Sequence, residues 1–398
     1  MRVAALWLVA VALRWPGLRE RPLWHDEGLT WAVASAPTWS EASARFLATE
    51  MHPPLYDLLA TVALPLGPAS AIRWPAFAAS LATVAVLQRV ASRAGGDAMG
   101  ERAAWFCAVL PPLVAYGREG RPWALAVLAV ALVLDARDRG SAARVLASLF
   151  ALASGWGAGM VAAAVAVRDR AWSSIVALAV GGALAAPLVA HQMAGLRDFA
   201  ARRPPSWPED WLAMAGWWLT GWDAVPWALG AALWVGLATA PGPQVRALAS
   251  ATGLFVVLSV ADLWPLGPHR GALLLMPFVA LALAERLPGW NAVAMVVLLG
   301  GISVARFPGV PVTDISALCH DLAGVVVVDP SASPAWRANG CPSGVTFATR
   351  SVEPPMEEGV DWVVVAGRRA MFPWGPGKEA EGVRAVPASA GSGRESLE

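Results

Sequence analysis

The chain has 398 residues, of which 57% are hydrophobic and only 15% are charged, whereas about 25% of the residues of an ordinary soluble domain are charged. This composition argues against a soluble cytosolic enzyme. The 30 Lys and Arg residues and the 29 Asp and Glu residues leave a formal net charge of +1, so no basic surface is available to bind nucleic acid.

Apolar segments separated by short charged clusters recur along residues 1–307. They predict about eleven transmembrane helices, because a helix needs about 20 apolar residues to cross a bilayer. Tryptophans stand at the ends of many segments, where an amphipathic ring suits the membrane interface. We therefore predict an all-α polytopic membrane protein. The count is eleven plus or minus one, because some of the twelve candidate segments are short and would merge with a neighbour or be re-entrant. The candidate segments are residues 3–18, 54–66, 72–90, 103–116, 123–134, 145–156, 157–167, 172–190, 224–240, 247–263, 272–283 and 292–304.

Three further segments near the predicted membrane surface are interpreted separately. Residues 3–13 follow a single arginine, but no small-residue cleavage site precedes the turn that comes next, so we predict a retained helix and not a cleaved signal peptide. Residues 38–49 carry apolar side chains at helical spacing and predict a helix lying on the membrane surface. Residues 210–222 are apolar but rich in tryptophan, and are likewise predicted to be interfacial.

Two loops rich in arginine, at residues 89–102 and 137–144, bear on orientation. The positive-inside rule places such loops in the cytoplasm. Strict alternation of the predicted spans places them outside if residues 54–66 cross the membrane completely, and inside if that segment enters only part of the way. We give the arginine bias more weight and predict that both loops are cytoplasmic. The sequence does not decide whether residues 54–66 cross the membrane completely.

The composition changes after residue 307, where apolar runs shorten and alternate with Pro, Gly and Ser. We predict a transmembrane domain over residues 1–307, a small extracytoplasmic α/β domain over residues 308–386 and a disordered tail over residues 387–398. Cys319 and Cys341 either form a disulfide, which would place the small domain in an oxidising compartment, or are free thiols. The strand-length runs are residues 325–328, 345–347 and 362–365.

An acidic pair, Asp26 and Glu27, lies between two tryptophans directly after the first apolar segment. Carboxylates held among aromatic side chains at an interface are partly desolvated, which strengthens them as bases. The alternative interpretation is a solvated helix start that is capped by Asp26. The residues alone leave both interpretations open.

Three more polar clusters lie at the ends of apolar segments. The chain's only two tyrosines belong to two of these clusters, and three of its five histidines belong to them or stand beside the acidic pair. Such residue types at helix ends are candidates for a site near the membrane surface. The clusters are His52-Pro53-Pro54-Leu55-Tyr56, Tyr116-Gly117-Arg118-Glu119-Gly120-Arg121-Pro122-Trp123 and Gly267-Pro268-His269-Arg270.

The order and spacing of these motifs resemble the GT-C membrane glycosyltransferases, in particular the bacterial relatives of protein O-mannosyltransferases and of the lipid A aminoarabinose transferase. The resemblance covers residues 1–284 and implies an integral protein of the bacterial inner membrane. It also implies an inverting sugar transfer from a polyprenyl-phosphate donor to a hydroxyl acceptor on the outer face. Its further motifs are Leu23-Trp24-His25-Asp26-Glu27 and Ile72-Arg73-Trp74-Pro75-Ala76.

The resemblance implies a role for each group. Asp26, with Glu27 as its neighbour or substitute, would take the acceptor proton as general base. The departing polyprenyl phosphate gains negative charge, which Arg118, Arg121 or Arg270 would stabilise, because a guanidinium matches phosphate geometry. An arginine at a helix end is also explained as a snorkelling anchor. The other predicted substrate-binding residues are His52, Tyr56, Tyr116 and His269.

A divalent metal ion held by His25, Asp26 and Glu27 is an alternative, since some family members use one. Three adjacent side chains cannot all face one ion, so no metal site is predicted. The sequence also departs from the family pattern, because the acidic Asp57 follows the second motif and no tyrosine follows Arg270. Both departures weaken any transfer of a named substrate.

Two other functions compete with sugar transfer. A transporter or flippase would carry ionisable residues near the middle of its spans, whereas nearly all charges here lie at the ends of the predicted spans. A non-catalytic protein with the same fold is the third interpretation, against which the intact acidic pair argues.

Overall fold

A computed structural model of the chain describes residues 2–19, 23, 25–201, 209–220, 235, 242–260, 270–306, 325–328, 345–347, 360–366, 378–380 and 383–387. Up to residue 306 the described chain is helical, as predicted. Contacts divide the chain into two compact units. The first comprises Met1–Pro16, Met51–Tyr56 and Arg73–Pro308, and the second comprises Gly17–Glu50, Asp57–Ile72 and Gly309–Glu398.

The described helices follow the apolar segments of the sequence. Short 3-10 turns at Leu64–Leu66, Ala69–Arg73 and Arg270–Leu275 connect some of them. The helices are α1 Arg2–Arg14, α2 His25–Ala34, α3 Trp39–Thr49, α4 Leu55–Ala63, α5 Trp74–Gly95, α6 Asp97–Val109, α7 Pro111–Tyr116, α8 Trp123–Ala136, α9 Ser141–Ser154, α10 Trp156–Arg168, α11 Trp172–Ala201, α12 Glu209–Thr220, α13 Pro243–Val260, α14 Met276–Arg286 and α15 Gly289–Arg306.

The core of the first unit is formed by α6, α8 and α14, in which most side chains are buried. The sequence explains this position for α8, because its residues are apolar on every face, and a helix of that kind is stable only when other helices surround it. By contrast, α11 exposes an apolar stripe. Trp172, Val176, Val180 and Leu184 are 71%, 59%, 56% and 79% exposed, and this stripe suits contact with lipid chains.

Two helical stretches of the described chain are long and apolar enough to cross a membrane, Ala69–Gly95 and Trp172–Gln192. The second has 21 residues, which at about 1.5 Å per residue matches a hydrocarbon core of about 30 Å. Helix α4 and the 3-10 turn that follows it cover Leu55–Leu66, which is one of the shorter apolar helices of the described chain. Whether this segment enters the membrane partly or completely stays a prediction.

Two predicted segments differ from the structure. Residues 103–116 were expected to form one span, but Pro111 and Pro112 divide them into α6 and α7, because proline cannot donate the helical hydrogen bond. Residues 210–222 were expected to present tryptophans to the membrane interface, whereas Trp217 and Trp218 of α12 pack inside the protein and are 3% and 0% exposed. The interfacial position of the segment stays a prediction. Of the candidate span 224–240, only residue 235 is described.

The C-terminal part of the second unit contains a five-stranded sheet in the order β2-β1-β3-β5-β4. Strand β1 pairs in parallel with β2 and β3, whereas β5 pairs antiparallel with β3 and β4. Strands lie on all three strand-length runs, but the domain boundaries and the extracytoplasmic location stay predictions. Cys319, Cys341 and residues 388–398 lie outside the described residues. The strands are β1 Val325–Val328, β2 Val345–Phe347, β3 Val360–Ala366, β4 Lys378–Ala380 and β5 Val383–Pro387.

Asp135, at the end of α8, forms salt bridges with three arginines of the two basic loops. Its carboxylate lies 2.8 Å from Arg93, 2.6 Å from Arg139 and 3.3 Å from Arg89, and its side chain is only 4% exposed. Arg93 also donates to the Asp135 backbone carbonyl at 2.9 Å. The two basic loops therefore meet at one end of the bundle, at the opposite end of α8 from the Tyr116–Trp123 cluster.

We expect Asp135→Asn to lower the free energy of unfolding by about 1–3 kcal/mol, because it leaves three guanidiniums without their shared buried carboxylate. Asp138→Asn is the matched control, since the Asp138 side chain is 72% exposed and lies 3.7 Å from Arg93. Its expected cost is below about 0.5 kcal/mol. Thermal unfolding of both variants in detergent measures the difference, and equal midpoints would contradict a structural role for Asp135.

Candidate active site

The best-defined part of the candidate site begins where α6 ends. Pro111 and Pro112 have no backbone N–H, so the carbonyls of Cys107 and Ala108, four residues earlier in each case, receive no helical hydrogen bond. Both carbonyls are buried inside the first unit. A buried carbonyl without a donor is costly, so the sequence requires a donor from elsewhere.

Arg14 supplies these donors from the end of α1. Its Nη1 donates to the Ala108 carbonyl at 2.8 Å and to the Ala10 carbonyl at 3.1 Å, and its Nη2 donates to the Cys107 carbonyl at 3.0 Å. Its Nε donates to Ser80 Oγ at 2.6 Å. The side chain is 0% exposed. Its place at the end of the first apolar segment predicts that Arg14 snorkels to the membrane surface. In the structure it instead binds the proline break in the bundle interior.

These hydrogen bonds of Arg14, called the Arg14 clamp below, position the segment that follows Pro111-Pro112. Helix α7 leads into the loop that carries Tyr116, Arg118 and Arg121. Gly117 packs so closely on Ser80 that a Cβ atom at position 117 would lie 2.5 Å from Ser80 Oγ. Only glycine therefore allows this approach. Arg14 and the start of the loop are thus held against the same serine.

The loop brings together three of the predicted substrate-binding residues. Tyr116 stacks edge-on with Trp217, with their ring centroids 6.4 Å apart. Arg118 and Arg121 are 4% and 7% exposed. A snorkelling arginine extends its charged head towards water, so their burial does not fit the anchor interpretation. Cations held this far from water suit the binding of a buried anion.

The second predicted cluster, His52 to Tyr56, is fastened to the bundle by residues that the sequence analysis missed. Gln192 donates from Nε2 to the His52 carbonyl at 3.2 Å, and it accepts at Oε1 from Trp156 Nε1 at 2.9 Å. The His52 ring donates from Nδ1 to the Pro53 carbonyl at 2.9 Å, and Tyr56 is fully buried. A glutamine at the end of an otherwise apolar span was the available signal.

The acidic pair lies in the first turn of α2, in the second unit. Adjacent helical residues point about 100° apart, and the two carboxylates accordingly have different surroundings. Glu27 is 0% exposed, whereas Asp26 is partly exposed. Of the two, only Asp26 is therefore open to a substrate hydroxyl.

Glu50 and Asp57 form a second acidic pair in this unit, which the sequence did not predict. Each is 2% exposed, and their carboxylate oxygens lie within 4.8 Å of one another. Two carboxylates can ligate a divalent cation, but calcium or magnesium takes about six or more oxygen ligands. The pair therefore supplies at most part of a metal site.

Three residues of the predicted site cannot be placed. His269 lies outside the described residues, and the side chains of Arg270 and His25 are not described. The predicted role of Arg270 on phosphate and the alternative of a metal ion at His25, Asp26 and Glu27 both stay untested.

Comparison with family models and with curated proteins finds no match for this chain. Among solved structures, the chain is similar to ArnT from Cupriavidus metallidurans bound to undecaprenyl phosphate, with 13% identity, a TM-score of 0.50, and coverage of 99% of this chain and 98% of that chain. ArnT in the apo state is also 13% identical, covering 98% of this chain and 99% of that chain at a TM-score of 0.39. ArnT is the lipid A aminoarabinose transferase, a GT-C glycosyltransferase, so the resemblance found in the motifs is confirmed for the fold.

Proposed function

We propose that the protein is a membrane glycosyltransferase that moves a sugar from a polyprenyl-phosphate donor to a hydroxyl acceptor on the outer face of the bacterial inner membrane. The single observation that carries this proposal is the similarity, over nearly the whole chain, to a GT-C structure bound to undecaprenyl phosphate. The buried Arg118 and Arg121 supply the chemistry that a lipid phosphate requires, because guanidinium groups bind phosphate oxygens in pairs.

The proposed reaction is a single displacement. Asp26 takes the proton of the acceptor hydroxyl, and the resulting oxygen nucleophile bonds to the anomeric carbon from the face opposite the phosphate. The bond between that carbon and the phosphate oxygen breaks, and its electron pair leaves with the polyprenyl phosphate. The charge that develops there is stabilised by Arg118 and Arg121. The configuration of the anomeric carbon is inverted.

The exposed apolar stripe of α11 supports the membrane location, because lipid chains would cover side chains that are 56–79% exposed. The clustering of Arg89, Arg93 and Arg139 at one end of the bundle supports an orientation with that end in the cytoplasm. The loop carrying Arg118 and Arg121 would then face outwards.

The function is tested by comparing cells with and without the protein. Mass spectrometry of envelope lipids and glycoconjugates should show one sugar modification that is lost with the protein and restored by the wild-type gene. An unchanged inventory of modified lipids, glycans and proteins would contradict sugar transfer. A transporter would instead leave the sugar attached to its carrier lipid, which the same measurement detects.

Donor binding is tested with undecaprenyl phosphate as the probe. The purified full chain should bind it, and Arg118→Gln should weaken binding by about tenfold or more, equivalent to about 1.4 kcal/mol. Arg246→Gln is the matched control, since Arg246 lies on another element, α13, and has no part in the proposed reaction. Binding that is equally strong in the Arg118 variant would remove this arginine from the donor site.

Orientation is tested with one added cysteine in a chain in which Cys319 and Cys341 are replaced by serine, while the buried Cys107 is kept. Ser40 and Gly140 are both exposed, and a Cβ at Gly140 would contact nothing within 4 Å. We expect an impermeant thiol reagent added to intact spheroplasts to label Ser40→Cys and to spare Gly140→Cys until the membrane is opened. The reverse pattern would overturn both the orientation and the outward position of Asp26.

A further inference from the structure

A small cleft lies at the arginine-rich end of the bundle, between α8, α9, α10 and the start of α11. Its polar lining comes from Arg137, Arg144, Ser148, Asp169 and Ser174. The proposed reaction uses none of these residues. The cleft is at the opposite end of α8 from Arg118 and Arg121, so it is separate from the candidate active site.

Two groups in this cleft have no hydrogen-bond partner within the part of the chain that the structure describes. Ser174, in the first turn of α11, is 1% exposed, and its Oγ atom is buried without a partner. The Nε atom of Arg144 is also buried without a partner. Buried hydroxyl and guanidinium groups normally have partners, so both are available to a ligand that accepts hydrogen bonds.

The charges of the cleft specify the sign of that ligand. Asp169 is bound by Arg137, with Nε to Oδ2 at 2.5 Å and Nη2 to Oδ1 at 3.0 Å, and by Arg168, with Nε to Oδ1 at 3.2 Å. Partial burial raises the pKa of Asp169, but hydrogen bonds and charge from Arg137 and Arg168 outweigh it, so the pKa lies below its usual value. Two guanidiniums, those of Arg137 and Arg168, thus pair with one ionised carboxylate, and Arg144 adds a further positive charge to the lining of the cleft. The excess positive charge favours an anion.

Exposed apolar side chains on the helices that border the cleft indicate what the anion is attached to. Leu146, Val167, Trp172 and Val176 lie on the helices that border it and are 67%, 63%, 71% and 59% exposed. The exposed stripe continues along α11 away from the cleft. A free anion gains nothing from contact with an apolar surface, whereas the acyl chains of a lipid would remove that surface from water.

We propose that this cleft binds the phosphate of an anionic membrane phospholipid, with Arg144 and Ser174 donating to the phosphate oxygens and the acyl chains lying along α11. The inference rests on the membrane location in the proposed function but not on sugar transfer. A guanidinium and a hydroxyl that bind one phosphate resemble other phosphate sites in proteins. Trp172, the exposed first residue of α11, suits the headgroup level of a bilayer.

Native mass spectrometry of the full chain in detergent tests this proposal. With equimolar phosphatidylglycerol and phosphatidylcholine added, the wild type should retain phosphatidylglycerol preferentially. Arg144→Gln should reduce the retained fraction by about tenfold, and Ser174→Ala by about threefold, because each removes one donor to the phosphate. Arg89→Gln removes the same charge from the same end of the bundle but outside the cleft, and should change retention by less than about twofold.

Three outcomes would overturn the proposal. Equal retention of the two lipids would remove the requirement for an anionic headgroup. An equal loss in Arg89→Gln and Arg144→Gln would show general surface charge and no site. Displacement of phosphatidylglycerol by equimolar inorganic phosphate would assign the cleft to a free anion. If Arg144→Gln fails to fold, Ser174→Ala decides alone. Arg118→Gln should retain phosphatidylglycerol as the wild type does, which separates this test from that of the donor site.

Discussion

Replacing Arg14 by methionine is expected to lower the free energy of unfolding by about 2–4 kcal/mol. The change leaves the carbonyls of Cys107 and Ala108 buried without the donors that Arg14 provides, and each such loss costs about 1–3 kcal/mol. Removing the guanidinium also relieves the cost of burying its charge, which offsets part of the loss. The cost of the two carbonyls without donors should exceed this gain, because Pro111 and Pro112 cannot replace the missing donors.

The same variant should also bind undecaprenyl phosphate more weakly, because the loop that carries Arg118 and Arg121 begins at the clamped segment. Arg14→Lys keeps the charge but loses the planar fork, so it should fall between the methionine variant and the wild type. Arg102→Met is the matched control, since Arg102 also donates to a carbonyl, that of Ala284 at 2.8 Å, but lies apart from the proline break. If Arg14→Met had the unfolding midpoint of the wild type and bound undecaprenyl phosphate equally well, the proposed role of the Arg14 clamp would be wrong.

Asp26→Asn is expected to reduce sugar transfer by at least about 100-fold, because an amide cannot accept the proton of the acceptor hydroxyl, and a general base contributes about 10²–10⁴-fold. The side chain is partly exposed and asparagine has nearly the same shape, so the amount of protein in the membrane should not change. The measurement is restoration of the missing sugar in cells that carry the variant gene.

Glu27→Gln separates the two carboxylates of the pair. Glu27 is 0% exposed, so it has no open path to an acceptor, and we expect its substitution to affect folding yield more than the rate per folded molecule. If Asp26→Asn transferred sugar at the wild-type rate while Glu27→Gln was well folded and inactive, the general base would be Glu27.

Much of the helical architecture was predictable, because apolar runs bounded by charged residues or proline have few other solutions. Helix α8 shows this well, since its unbroken apolar sequence indicates both its length and its burial. The division of residues 103–116 was predictable from Pro111-Pro112, because neither residue has the backbone N–H that would continue the helix. The burial of Trp217 and Trp218 was not predictable, because tryptophan suits an interface and a helical core equally well.

The candidate site was predictable as a set of residues but not as an arrangement. The motif at residues 116–123 indicates where cations stand, yet the burial of Arg118 and Arg121 depends on packing that no local pattern encodes. The contacts of Arg14 with later helices join residues 66 to 94 positions apart. Local sequence explains why the two carbonyls need a donor, whereas only the folded chain shows which donor reaches them.

The contacts of Arg14 also bear on the order of assembly during synthesis. Its partners at Ser80 and Ala108 follow it by 66 and 94 residues. At a synthesis rate of about 5–20 residues per second, α1 would leave the ribosome roughly 5–20 s before Ala108 does. Until Ser80 emerges the guanidinium has no acceptor from later helices, and until α6 is complete it lacks the carbonyls of Cys107 and Ala108. A charge without partners is poorly tolerated within hydrocarbon. We therefore expect α1 to wait near the headgroups and to dock into the bundle only after α6 has been inserted.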